Sequence, residues 1–251
     1  MLSFLFDVVD RVESKGHSLT AAWWSTSQSA HLYSSLGNPL EWQIGYPELF
    51  DQMGLGPGLE GPVLDYGCGP GKVSFHISER YGYEVVGCDV SADMIAIAAE
   101  ENATERIRYV HIPKPHLEGF PDAGFGAALC AFVICVLEDR EQHLAIAREV
   151  HRLLRPGAPF GLIVPHPDSS GVQFSTCRSG EPDVHYSAGD PMPTRLTANG
   201  SDLLIQDYYW PTKWYEELLL QSGFTDVSAS APLPKAGEPD HAPFLVVTGK
   251  R

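Results

Sequence analysis

The chain has 251 residues, 43% of them hydrophobic and 20% charged, which suits one large globular unit and argues against a disordered or collagen-like chain. Its 17 basic against 32 acidic residues give a formal charge of −15, so a phosphate backbone would be repelled and nucleic acid is a poor partner. Cys68, Cys88, Cys130, Cys135 and Cys177 show no zinc-type spacing and sit mostly in apolar runs, as thiols do in a reducing cytoplasm. No stretch approaches the roughly eighteen apolar residues of a membrane span, and the N-terminus lacks a basic leader and a cleavage site. The expectation is a soluble cytoplasmic protein, monomer or homodimer, with no membrane partner.

Residues 1–60 read as a helical cap rich in aromatics, with Trp23, Trp24, Tyr33, Trp42 and Tyr46, closed by the glycine-rich turn at 54–58. From Pro62 onward short apolar runs alternate with helical periodicity, the pattern of βαβ units and a parallel sheet in a doubly wound α/β core over 61–251. Strands are expected at 63–66, 84–88, 107–112, 127–136 and 160–164. Helices are expected after the first strand (Val73, Ile77, Tyr81), after Ser91 as N-cap (Met94, Ile95, Ala98), and over 140–154. A long polar stretch at 165–211 interrupts the alternation. Within it, 195–197 and 203–205 flank Asn199-Gly200, which predicts an inserted hairpin lid. A helix over 212–222 and strands at 224–227 and 244–247 complete the core.

The most informative segment is Asp65-Tyr66-Gly67-Cys68-Gly69-Pro70-Gly71. A strand that runs into three alternate glycines lets backbone approach a ligand closely, and the next helix presents free N–H groups there. The dinucleotide pattern G-x-G-x-x-G is not met, because Lys72 stands where its third glycine would be. Asp65 at the loop and Asp89 at the end of the second strand suit a ligand with a cationic group near one and a ribose diol near the other. S-adenosylmethionine has both. No metal motif such as HExxH occurs.

On these residues, with Ser91 and Met94 after Asp89, Phe120-Pro121-Asp122, and Leu153-Leu154-Arg155-Pro156-Gly157, the chain resembles the class I S-adenosylmethionine-dependent methyltransferases of the small-molecule type. The resemblance implies a Rossmann-like sheet of seven strands, the last antiparallel. It further implies that Asp65 and the loop glycines Gly67, Gly69 and Gly71 hold the methionine part with Tyr33 near its carboxylate, Asp89 the ribose and Met94 the adenine face, with Cys68 and Val90 also among the cofactor contacts. Ala131 and Phe132 would line the sulfonium side. Two departures stand out: His116 occupies roughly the place of an adenine-binding carboxylate, and Phe125-Gly126 replaces a common Phe-Asp pair.

The implied reaction is methyl transfer to an oxygen or nitrogen of a small, biosynthetic natural-product acceptor. The alternatives are C-methylation or cyclisation on the same fold, and an accessory protein that only binds the cofactor. His166, between Pro165 and Pro167 at the carboxyl edge of the sheet, is the candidate general base, with Asp168 to orient it. Trp23, Trp24, Tyr46, Tyr209 and Trp210 are the candidate substrate-binding residues.

Overall fold

The computed structural model describes residues 17–18, 27–198, 201–234 and 236–251. Seven strands form the main sheet: β2 (Val63–Tyr66), β3 (Val85–Asp89), β4 (Ile107–His111), β5 (Ala127–Ala131), β6 (Pro159–Pro165), β10 (Thr225–Ser230) and β11 (Phe244–Lys250). Their order is β10-β11-β6-β5-β2-β3-β4. The pairs β2–β3, β2–β5, β3–β4 and β5–β6 are parallel, whereas β11 is antiparallel to both β6 and β10. The last strand is therefore the antiparallel one, inserted beside β6. Strand order reverses at β2, which opens a crevice at the carboxyl ends of β2 and β5, where ligands bind in open α/β sheets.

Successive residues of the central strands enter opposite cores, as the two-residue period of a strand requires. Leu64, Tyr66, Ala128 and Cys130 pack with α5 (Arg140–Leu153) and α6 (Thr212–Gln221). Val63, Ala127 and Leu129 pack with α2 (Tyr46–Gln52) and α3 (Lys72–Tyr81). Local chemistry sets the helix ends. The Ser91 hydroxyl accepts the Met94 N–H at 3.2 Å and starts α4 (Ala92–Glu101); the Asp139 carboxylate accepts the Glu141 N–H at 2.9 Å and starts α5.

One expected strand is shorter than its sequence suggests. β5 stops at Ala131, not at residue 136, because Phe132 takes a left-handed φ of 56° after its N–H bonds the Ile163 carbonyl, and a single tight helical turn follows at Ile134–Val136. The apolar run continues, but it turns over the crevice.

The lid is a second, four-stranded sheet in the order β1-β9-β8-β7, formed by β1 (His17–Ser18), β7 (Cys177–Ser179), β8 (Pro191–Ala198) and β9 (Ser201–Tyr208). β8 and β9 pair antiparallel from Ala198↔Ser201 to Pro191↔Tyr208, and the Asn199-Gly200 turn between them lies outside the described residues. Leu196, Leu203 and Ile205 of this sheet pack with Ala30, Leu32 and Tyr33 of α1 (Ser27–Ser35) and with Met94 and Ile97 of α4, seating the lid over the crevice. No helix among the described residues is long and apolar enough to cross a membrane.

Candidate active site

Three cavities meet at the carboxyl edge of the sheet, and Tyr33 and Phe132 line all of them. The outer cavity, about 420 Å³, has Gly67, Gly69, Asp89, Val90 and Met94 in its wall. The inner cavity reaches Asp65, Cys68 and Tyr46. The third, the lid chamber, lies between the main sheet and the lid and reaches His166 and Asp207.

The glycine loop separates into two structural positions and one open one. A Cβ on Gly67 would meet Val133 Cγ2 at 2.2 Å, and one on Gly71 would meet Tyr109 Oη at 2.4 Å, whereas one on Gly69 would have no atom within 4 Å. Gly69 therefore faces empty space at the cleft. Its N–H donates to Asp89 Oδ2 at 2.9 Å, and the Ser91 N–H donates to Asp89 Oδ1 at 2.8 Å. Each carboxylate oxygen keeps a lone pair, so Asp89 is fixed in direction yet still able to accept two hydroxyls. Asp65 is 1% exposed and accepts the Ser74 hydroxyl at 2.6 Å; burial pushes its pKa up to about 6. An open glycine, a ribose-suited carboxylate and a buried acid in one cleft fit S-adenosylmethionine.

Several expected site residues stand elsewhere. His116 is turned away from the cleft: its Nδ1 lies 2.9 Å from Glu149 Oε2, on a carboxylate that also accepts the Leu117 N–H and the Arg152 guanidinium. At that edge the cavity wall is Ile112, Pro113 and Lys114 together with Gln142 of α5, a polar residue that no sequence signal pointed to. Trp210 is a core residue, not a substrate contact. It is 4% exposed, donates its indole N–H to the Leu137 carbonyl at 3.1 Å, and packs on His143 and Trp214 under the Arg140 guanidinium. Tyr209 stacks on Tyr186 outside all three cavities. Tyr46 lines the inner cavity, where its hydroxyl donates to Glu41 Oε2 at 3.3 Å. Trp23 and Trp24 lie outside the described residues.

His166 lines the lid chamber, but Nδ1 accepts the Asp168 N–H at 3.2 Å, capping the short turn Pro167–Ser169. In the neutral ring the proton then sits on Nε2, which leaves His166 a donor and no free ring lone pair. Asp168 thus engages the ring through its backbone N–H. The acids of the chamber are Glu41 and Asp207, which sequence reasoning missed. Glu41 opens a π-helical turn, Glu41–Gly45, a rare geometry that often marks a functional position. Among the described residues no group of three or more His, Cys, Asp or Glu is placed to hold a metal ion.

Comparison with known proteins agrees with this geometry. A family described as a methyltransferase domain matches residues 63–157, from β2 to the turn after α5. The N-demethylindolmycin N-methyltransferase of Streptomyces griseus is 38% identical over 231 residues, covering 90% of this chain and 98% of that one. Among solved structures, a methyltransferase from Streptomyces caelestis superposes with a TM-score of 0.63 at 16% identity, covering 92% of this chain and 98% of its own. An S-adenosylmethionine-dependent methyltransferase from Mesorhizobium loti gives 0.58 at 22% identity, covering 84% and 97%. The chain belongs to the class I S-adenosylmethionine-dependent methyltransferases.

Proposed function

We propose that the chain methylates a nitrogen of a small natural-product acceptor held in the lid chamber. The observation that carries the choice of nitrogen is the likeness to an N-methyltransferase over 90% of the chain, which extends beyond the cofactor half into the lid. When bound, S-adenosylmethionine supplies a methyl group already activated by its sulfonium charge, so the chain has to align an acceptor, exclude water and leave the nitrogen lone pair free.

In this reading Asp89 and Val90 hold the ribose, and Met94 backs the adenine with Gln142 at its edge. Asp65, Gly67, Cys68, Gly69 and Gly71 shape the methionine end together with Tyr46, and Ala131 and Phe132 flank the sulfonium side. Tyr33 and Phe132, shared by all three cavities, stand where cofactor and acceptor compartments join. Phe132 keeps its left-handed backbone there, the kind of local strain that concentrates at functional positions. His166 serves the chamber as a wall and hydrogen-bond donor.

The test is methyl-labelled S-adenosylmethionine offered with small amines, N-demethylindolmycin among them, and with matched alcohols. Label on nitrogen is the expected product by mass spectrometry and NMR. Label confined to oxygen or carbon overturns the assignment.

A further inference from the structure

The lid sheet turns alternate residues of its strands into the chamber. Cys177 and Ser179 of β7, Thr194 and Leu196 of β8, and Ile205 and Asp207 of β9 line it, while the intervening Arg178, Arg195 and Gln206 do not. Asp207 is the charged member of this inward row and is 1% exposed. Its Oδ2 accepts the Thr194 hydroxyl at 2.6 Å, and the Ser179 hydroxyl stands 3.0 Å from that of Thr194. Oδ1, equally buried, accepts no hydrogen bond from any described residue. A carboxylate kept only to steady Thr194 would be served as well by an amide, and native proteins rarely leave a buried polar oxygen unmatched without a use for it.

The surroundings name the missing donor. The chamber walls are largely apolar, with Phe132, Phe174 and Phe244, and Glu41 is the second acid in the lining. Among the described residues no Lys or Arg lines the chamber. Burial pushes both acids up to about 7; the Lys72 charge offsets part of this at Glu41, whereas no cation offsets it at Asp207. An anionic guest would meet two acids and no Lys or Arg in the lining, and an alcohol would bring one donor and no charge. A compact apolar body with an amine would bring both as an ammonium and, once that proton passes to the carboxylate, would still donate an N–H with its lone pair free.

We propose that Asp207 is the acceptor anchor and the specificity-determining residue of the lid: Oδ1 accepts an N–H of the acceptor's amine and so selects amines over alcohols and carboxylates. This deepens the N-methyl-transfer reading and rests on it.

The test is calorimetry on the full chain saturated with S-adenosylhomocysteine, titrated with 2-phenylethylamine, 2-phenylethanol and phenylacetate, which share one apolar body. The amine is expected to bind most tightly. Asp207→Asn should weaken the amine about tenfold or more, leave the alcohol within about twofold, and leave S-adenosylhomocysteine affinity unchanged, which also reports a folded protein. Asp207→Ala serves as the second variant if the amide is not tolerated. An amine that binds no better than the alcohol, or not at all, overturns the anchor while leaving the methyltransferase reading intact, and so does an Asp207→Asn variant that binds the amine as the wild type does. Failure of S-adenosylhomocysteine itself to bind overturns the cofactor reading, and the anchor with it. Label on oxygen in the transfer assay, with the amine still preferred in calorimetry, removes N-methylation alone.

Discussion

Gly69 and Gly71 both sit at positive φ, 50° and 82°, yet substitution should hurt them in different ways. Gly71→Ala adds a methyl group against Tyr109 and Ala98 as well as backbone strain, and should cost about 2–4 kcal/mol in denaturant melts. Gly69→Ala brings the strain alone, about 1–2 kcal/mol, but puts its methyl group into the cleft and should weaken S-adenosylhomocysteine about tenfold or more. Equal cofactor affinity in Gly69→Ala would place the ligand elsewhere. His166→Ala should cost about 1 kcal/mol through the lost cap and slow turnover less than about tenfold; a hundredfold fall would restore it as a proton-transfer group. At this scale the sequence revealed the residues whose roles follow from neighbours in the chain. The loop glycines and Asp89 are fixed by a strand, a turn and the next helix. His116 could not be placed, because its partner Glu149 comes from a helix more than thirty residues away. Glu41 and Asp207 could not either, since only the closed lid brings them to one chamber.

Helix α1 is the element that couples the cofactor cleft to the lid. It carries Tyr33, packs between the lid sheet and α4, and ends with its carbonyls held by Lys72, whose Nζ donates to the Ser34 and Leu36 oxygens. A lysine at a helix C-terminus satisfies unpaired carbonyls and complements the helix dipole. Lys72→Met should therefore cost about 1–3 kcal/mol and also weaken S-adenosylhomocysteine, read by melting and calorimetry together. Loss of stability with unchanged affinity would uncouple α1 from the cleft. Elements with a clear period were legible: the βαβ alternation, the Ser91 cap of α4, the span of α5, and the hairpin at residues 195–205 all stand where the pattern put them. The end of β5 was not, because apolar residues continue through 132–136 while the backbone turns. Trp210 misled for a related reason. An aromatic at the lid boundary reads the same in sequence whether it faces substrate or, as here, plugs the gap between α5 and α6.

Across the whole molecule, the charge of −15 divides into a solvated majority and a few acids buried at one edge of the sheet. Asp65 at about 6, and Glu41 and Asp207 at about 7, lie above ordinary values of 3.8 and 4.5. Each binds its proton more tightly folded than unfolded. The stability tied to them is thus fully present below about pH 4 and is lost as pH rises through 6 to 7. The ligand-free protein should therefore gain about 1 kcal/mol, or about 2–4 °C in Tm, between pH 8 and pH 6.5. His143, held down to about 4 by burial, and His76, His151 and His166, which burial also lowers, work in the opposite direction as pH falls through about 6.5 and below. A melting temperature that falls over pH 8 to 6.5 would contradict the buried acids.

A cofactor seat between the glycine loop and Asp89 is checked by calorimetry with S-adenosylhomocysteine on the wild type and on Asp89→Ala. Removing the carboxylate takes away both hydroxyl acceptors and the brace on the Gly69 N–H, so affinity should fall about thirtyfold or more while the fold persists. Absence of wild-type binding at millimolar ligand, or equal affinity in the two proteins, would contradict it.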